Sequence, residues 1–348
     1  MSIVRLAIIG CGAVTELCHL PAAKLLTGVE VVALADADLG RAKRLAKQFG
    51  VAHCTEDYRH LPEGVDGVIV ALPNYLHAPV TIEFLNRGMP VLVEKPMALT
   101  VQEAEAMVHA ADNNKLPLQV ALMYRFSQGA RLVKLAIEEG WLGALKSFTA
   151  EWGLVYNWPV ASGFIFSKDR AGGGQLVDMG SHVLDLLLWW VGEARDVEYK
   201  DDSLGGVEAD CWLSLALHTP NGPMEGTVAL SRVRNLGTKA RLVGERFTIE
   251  YDMLTPAEVS LWPTVWDHEK PRFVPDWDPS PVQTWDDIYA EQIQAFARAI
   301  ATASEPVVSG KSILDRVALI ERCYRDRQPL QMLWMDSAVP PQRENVKP

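Results

Sequence analysis

Residues 3–15, Ile3-Val4-Arg5-Leu6-Ala7-Ile8-Ile9-Gly10-Cys11-Gly12-Ala13-Val14-Thr15, decide the fold: a short apolar run ends in a glycine-rich turn, and a helical pattern follows to about Leu26. Strand, turn and helix in that order are the setting a dinucleotide requires. Gly10 makes the tight turn, Gly12 lets the backbone approach a pyrophosphate, and the helix opening at Ala13 and Val14 offers amides and a positive dipole. The third fingerprint position carries Thr15 instead of Gly or Ala, a departure where helix packs on strand. Val29–Ala35 then reads as a second strand ending at Asp36, about 20 residues on, where a carboxylate accepts from the adenosine ribose and repels a 2′-phosphate. Ala37 beside it brings no cation, so NAD is expected over NADP; the alternative for Asp36 is a turn residue.

The alternation continues. Arg41–Phe49 reads as a helix closed by Gly50, and Val65–Ala71 as a strand leading into Leu72-Pro73-Asn74-Tyr75-Leu76-His77. Pro79–Asn86 is a helix, Val91–Val93 a strand running into Glu94-Lys95-Pro96, and Leu118–Leu122 a fifth strand. Between them Thr100 and Glu103 form a capping box for a helix to Asn113. Strands alternating with helices imply a parallel, doubly wound α/β sheet whose ligands sit beyond the carboxyl ends of the strands. The expected cofactor set is therefore Gly10, Gly12, Ala13, Val14, Asp36, Arg41, Leu72, Pro73, Asn74, His77, Glu94 and Lys95. Lys95-Pro96 is a candidate cis peptide that aims the lysine inward, where a cleft beside a nicotinamide cation lowers its pKa and lets it exchange a proton with, or polarise, a hydroxyl; the alternative is a solvated surface lysine.

The pattern changes near residue 123, which sets expected domains of 1–123 for the cofactor and 124–348 for substrate and oligomerisation. After a helix at Gly129–Glu139, strand-like segments (Ala144–Tyr156, Cys211–His218, Met224–Ser231, Ala240–Val243, Phe247–Tyr251) follow without intervening helices. That predicts an α+β domain with an open, mostly antiparallel sheet covered on one face, and hence a homodimer or homotetramer through the other. Trp262–Trp285 reads as an ordered loop, Tyr289–Ala301 and Ile313–Asp326 as helices, and Val339–Pro348 as a loose tail.

Within this half, Ala171–Asp185 (AGGGQLVDMGSHVLD) carries the chemistry. Its glycines suggest a loop that approaches a ligand closely. On the following helix Asp178, His182 and Asp185 stand at i, i+4 and i+7, on one face. A carboxylate beside an imidazole suits acid/base work, because the negative charge holds the histidine pKa near working pH. The alternative is an Asp bonded to backbone amides and a tolerated core His.

Composition narrows the partners. The net charge of −11, without a basic run, argues against nucleic acid and anionic membranes. Five scattered cysteines without a C-x-x-C fit a reducing compartment, with cytoplasm expected and no disulfide framework or metal site read. Arg5 and Leu6-Ala7-Ile8-Ile9 before Gly10-Cys11 imitate an export signal, but the run falls short of the roughly 7 apolar residues such a signal needs.

These blocks, GCGAVTELCHLPA from Gly10, Leu72-Pro73-Asn74 with His77, Glu94-Lys95-Pro96, Tyr124-Arg125-Phe126, Gly172 to His182, and Glu291-Gln292-Ile293 with Ala295-Phe296, resemble the Gfo/Idh/MocA family over about 3–330. The family unites glucose-fructose oxidoreductases, inositol dehydrogenases and rhizopine-catabolism proteins. The resemblance implies a Rossmann domain followed by a substrate sheet, and hydride transfer between nicotinamide and a secondary alcohol or ketone of a sugar, cyclitol or nucleotide sugar. It implies Lys95, Asp178 and His182 as catalytic residues, which also touch substrate. Tyr124, Arg125 and Trp158 join the substrate pocket by position, with a core role as the alternative for Trp158. Glycoside cleavage through transient oxidation by NAD would use the same residues; a non-catalytic cofactor sensor of the same fold is the other alternative, and the intact Lys95, Asp178 and His182 set argues against it.

Overall fold

The computed structural model describes residues 3–265, 272–273 and 283–331. Its first layer is a six-stranded sheet of β1 (Val4–Ile9), β2 (Val29–Ala35), β3 (His53–Thr55), β4 (Gly67–Val70), β5 (Val91–Glu94) and β6 (Leu118–Ala121), in the order β3-β2-β1-β4-β5-β6. Every pairing is parallel. Helices α1 (Leu20–Lys24), α2 (Leu39–Phe49), α3 (His77–Asn86) and α4 (Val101–Asn114) connect the strands. Covered on both faces, the central strands bury consecutive residues: Leu6, Ala7, Ile8 and Ile9 are all in the core, as are Val91, Leu92 and Val93. The strand order reverses between β1 and β4, which opens a crevice at their carboxyl ends. Thr100 caps α4 by accepting from Glu103 N, but the Glu103 carboxylate accepts from Leu99 N and not from Thr100, so the return arm of the expected box is shifted by one residue.

Helix α5 (Gln128–Glu138) leads into a nine-stranded sheet built from β7 (Leu145–Gly153), β8 (Ala194–Asp201), β9 (Asp210–Thr219), β10 (Gly222–Ser231), β11 (Lys239–Gly244), β12 (Phe247–Asp252), β13 (Val259–Pro263), β14 (Arg272–Phe273) and β15 (Gln328–Pro329). It is mostly antiparallel, with parallel pairs at β7/β10 and β8/β15. The short α6 (Lys168–Ala171) and then α7 (Ser181–Trp190) lie between β7 and β8; α8 (Trp285–Thr302) and α9 (Leu314–Arg325) come last. Strand β9 alternates: Leu213, Leu215 and Leu217 are buried, and Trp212, Ser214 and Ala216 half-buried, so one face holds the core. Helix α8 crosses back to the first layer, where Ile293 and Phe296 share a core with Leu6 and Ile8. Strands β3, β8 and β13 carry weak periodicity and were not expected from the sequence. Most of the Trp262–Trp285 segment and the Val339–Pro348 tail lie outside the described residues.

Candidate active site

The glycine turn is shaped by contact with β4. Gly10 has φ +101°, and a Cβ there would stand 2.1 Å from Ala71 O, so only glycine fits. A Cβ at Gly12 would meet no atom within 4 Å, leaving that side of the turn open at the half-buried Ala13 and Val14. The Thr15 departure has a physical answer: its side chain is fully buried and its hydroxyl donates to Gly10 O at 2.6 Å, at the start of a π-helical turn over Thr15–His19. Asp36 accepts from Cys11 N at 2.7 Å and Asp38 N at 2.8 Å, fastening β2 to the turn. Arg41 places Nη1 3.3 Å from Asp36 Oδ2, so a cation does stand here, supplied from α2 and not from position 37.

The other strand ends are tied to one another. His77 is fully buried, with Nδ1 2.7 Å from Pro96 O and Nε2 2.8 Å from Leu72 O, and it clamps the half-buried Leu72-Pro73 turn to the segment after β5. Burial lowers its pKa against the pull of those carbonyls. Asn74 donates to Ala171 O at 2.8 Å across to the second half. Glu94 accepts from Lys95 N at 3.1 Å and faces His19 Nε2 at 2.9 Å; burial resists its ionisation, but His19, Lys95 and His77 together hold its pKa below the ordinary value. His77 and Glu94 thus shape the crevice from behind its surface.

Lys95, reached through a cis bond to Pro96, donates from Nζ to Asp178 Oδ1 at 2.6 Å and to Asp178 O at 3.0 Å. Burial pushes the Asp178 pKa up, yet Lys95 first, then Arg232 and His182, bring it below the usual value, so this carboxylate is ionised. His182 is buried, with the Tyr124 ring edge-on at 5.1 Å and Nδ1 without a hydrogen-bond partner among the described residues. Burial, helped by Lys95 and opposed only by Asp178, holds its pKa well below 6.5. The expectation that Asp178 keeps this histidine near its working pH is corrected: desolvation wins, and the imidazole is neutral at pH 7. Since His182 and His77 take up protons more readily once unfolded, stability should fall as pH drops below about 6.5. Thermal unfolding between about pH 5 and pH 8 should show that slope reduced in His182→Gln, with the share of His77 remaining.

Residues 4–122 match the family described as oxidoreductase family, NAD-binding Rossmann fold, and residues 130–250 match the GFO/IDH/MocA C-terminal domain. The chain belongs to the GFO/IDH/MocA oxidoreductases. It is similar to the levoglucosan dehydrogenase of Pseudarthrobacter phenanthrenivorans, 35% identical over 46% of this chain and 42% of that one. The rhizopine catabolism protein MocA of Rhizobium meliloti is 30% identical over 59% of this chain and 64% of its own. The chain thus matches about half the length of these relatives. A solved levoglucosan dehydrogenase, in complex with NADH and levoglucosan, shares the fold at TM-score 0.82 and 22% identity, covering 93% of this chain and 97% of that one.

On the substrate side this GFO/IDH/MocA chain departs from expectation in four places. A π-helical turn at Leu176–Gly180 precedes α7 and breaks the regular spacing, so Asp185 does not share the face of Asp178. Asp185 is instead buried on Arg125, whose Nε donates at 2.9 Å and whose Nη2 donates as well, with Arg316 Nε at 3.2 Å. Arg125, with its guanidinium over Trp189 at 5.6 Å, is therefore held in the interior by Asp185. Third, the glycine run closes on the protein itself: a Cβ at Gly173 would stand 1.9 Å from the Tyr324 hydroxyl, and one at Gly174 2.0 Å from Glu208 O. Finally, Tyr124 is buried behind His182, between Trp152 and Trp285, and Trp158 is 45% exposed in the segment after β7. Two residues absent from the sequence-based set lie near Asp178: Arg232, with Nη2 3.8 Å from Oδ2, and Tyr156, under the Arg232 guanidinium, whose pKa is raised by burial and then by the Asp178 charge. Both follow the carboxyl ends of the parallel neighbours β7 and β10, and a cation or aromatic just past such an end is the signal that could have found them.

Proposed function

We propose that the chain is an NAD-dependent oxidoreductase acting on a secondary alcohol or ketone of a sugar, cyclitol or nucleotide sugar. The observation that carries this is Lys95 Nζ at 2.6 Å from an ionised Asp178, beside a neutral His182, past the carboxyl end of β5. The open side of Gly12 and the carboxylate of Asp36 fit a dinucleotide, and bound NAD would supply the hydride acceptor. The chain's own part is the proton. Asp178 holds the Lys95 ammonium, which hydrogen-bonds the carbinol oxygen and favours its loss of a proton; neutral His182 accepts that proton, and the reverse transfer serves ketone reduction. Residues 1–123 hold the cofactor and 124–348 the substrate in this reading. Five free thiols support a reducing, cytoplasmic setting. The test is nicotinamide absorbance over a panel of sugars and cyclitols. Net change supports the proposal, product release without net change points to glycoside cleavage, and binding alone to a sensor.

NAD over NADP follows from Asp36, although Arg41 tempers it. Asp36→Asn keeps an acceptor for Cys11 N, removes the charge that repels a 2′-phosphate and frees Arg41 to face it. It should raise kcat/KM for NADPH relative to NADH by about tenfold or more in steady-state assays. Equal use of both cofactors by the wild type would remove the basis for this assignment.

A second copy covers the outward face of the nine-stranded sheet in our reading. Half-buried Trp212, Ser214, Ala216, Thr227 and Ala229 adjoin there in register. Sedimentation at low micromolar concentration should show a dimer or tetramer, and a 38.5 kDa species alone would contradict it.

A further inference from the structure

Arg232 immediately follows β10, and its backbone is pinned on both sides: its N–H donates to Ala209 O at 2.9 Å, and its carbonyl accepts from Tyr156 N at 2.8 Å. The side chain is also placed. Nε donates to Gln175 Oε1 at 3.3 Å, Gln175 being itself buried and donating to Ser231 O, and the guanidinium lies over the Tyr156 ring at 5.5 Å. Among the described residues that Nε bond is the only side-chain hydrogen bond Arg232 makes. Its Nη2 approaches Asp178 Oδ2 only to 3.8 Å, beyond hydrogen-bond length, while Lys95 engages the other oxygen at 2.6 Å.

Lys95 is answered by Asp178 and has the Glu94 carboxylate nearby, whereas Arg232 hydrogen-bonds no carboxylate among the described residues. A guanidinium does not lose its proton, and with its side chain only 14% exposed it is partly removed from water. A neutral polyol leaves that charge unanswered. We propose that Arg232 seats an anionic group of the substrate, and that the substrate is a sugar acid whose carboxylate takes the open fork of the guanidinium. Lys95 Nζ and Arg232 Nη2 stand 2.6 Å and 3.8 Å from the two oxygens of the same carboxylate, so they lie within the span of one monosaccharide. The anion accordingly belongs to the ring that carries the reacting hydroxyl, and not to a distant diphosphate. The planar fork fits a carboxylate through paired hydrogen bonds. This inference rests on the dehydrogenase reading, and the experiment separates the two.

With full-length protein and NAD, initial rates are compared for D-glucuronate, D-gluconate, D-glucose and D-glucose 6-phosphate, in wild type, Arg232→Gln and Arg232→Lys. In the wild type an acid should exceed glucose in kcat/KM by about 10- to 100-fold, mostly through KM, since hydrogen bonds to charged groups are of that strength. That ratio should collapse toward unity in Arg232→Gln and survive in part in Arg232→Lys, the variant that decides if Arg232→Gln does not fold. Equal use of acids and glucose by the wild type, an unchanged ratio in the variants, or preference for the phosphate ester overturns the assignment. If no sugar changes the absorbance, the dehydrogenase reading fails by itself, and calorimetric titration of D-glucuronate into the NADH complex decides the anion seat. Binding that Arg232→Gln abolishes upholds it; absent or unaltered binding overturns it.

Discussion

Lys95→Ala and His182→Ala are each expected to lower kcat by about 10²- to 10⁴-fold, the range for a positioned proton-transfer group. The pH dependence should separate their roles. If alcohol oxidation requires neutral His182, activity falls as pH drops through its pKa, and Lys95 is one cause of that pKa being low. Lys95→Ala should therefore move the acid limb of kcat/KM to higher pH. Asp178→Asn should move it lower, because the carboxylate is the group that raises the imidazole pKa. Lys95 and Asp178 act as one unit, so the double variant should be little worse than the poorer single one. Steady-state rates at several pH values, paired with thermal unfolding, provide the check; normal turnover by folded His182→Ala would sink the proton-carrier role.

The sequence is most legible where local chemistry and global position coincide. The turn at Gly10 and Gly12, the acidic end of β2 and the Glu94-Lys95-Pro96 segment announce themselves because a parallel sheet places successive strand ends on one rim. Asp178 and His182 are visible for a similar reason, as polar residues opening an otherwise apolar helix. Arg232 and Tyr156 carry only the weak local signal of a cation and an aromatic past a strand end, since their meeting depends on β7 and β10 pairing in parallel across about 75 residues of chain, a register no periodicity encodes. The protonation of His182 is hidden for a related reason, because adjacency of Asp178 is evident in the sequence while the depth of burial is not. A π-helical turn defeats face arithmetic in the same way: it inserts a residue where a regular helix is assumed, and it does so both at Thr15–His19 and at Leu176–Gly180.

That inserted turn divides the acidic residues of this region into a chemical one and a structural one, and the division can be measured. Asp185 is 1% exposed and Arg125 6%, so removing the carboxylate leaves a guanidinium in the interior without its anion. Asp185→Ala should cost about 3–5 kcal/mol of stability, the usual penalty for breaking one side of a buried pair. Arg316, which also reaches Asp185, can turn its guanidinium to Asp315, where it already donates, so the loss falls mainly on Arg125. Kinetics per folded molecule should change little in this variant, whereas Asp178→Asn should alter rate and pH profile with a smaller effect on unfolding. Replacing both partners, Arg125→Met with Asp185→Leu, should recover much of the lost stability, since the charge that made the single change costly is gone. Denaturant unfolding of the two single variants and the double completes the cycle. If Asp185→Ala instead lost turnover at unchanged stability, Asp185 would belong to the reacting site, and the assignment of Arg125 to the interior would fall with it.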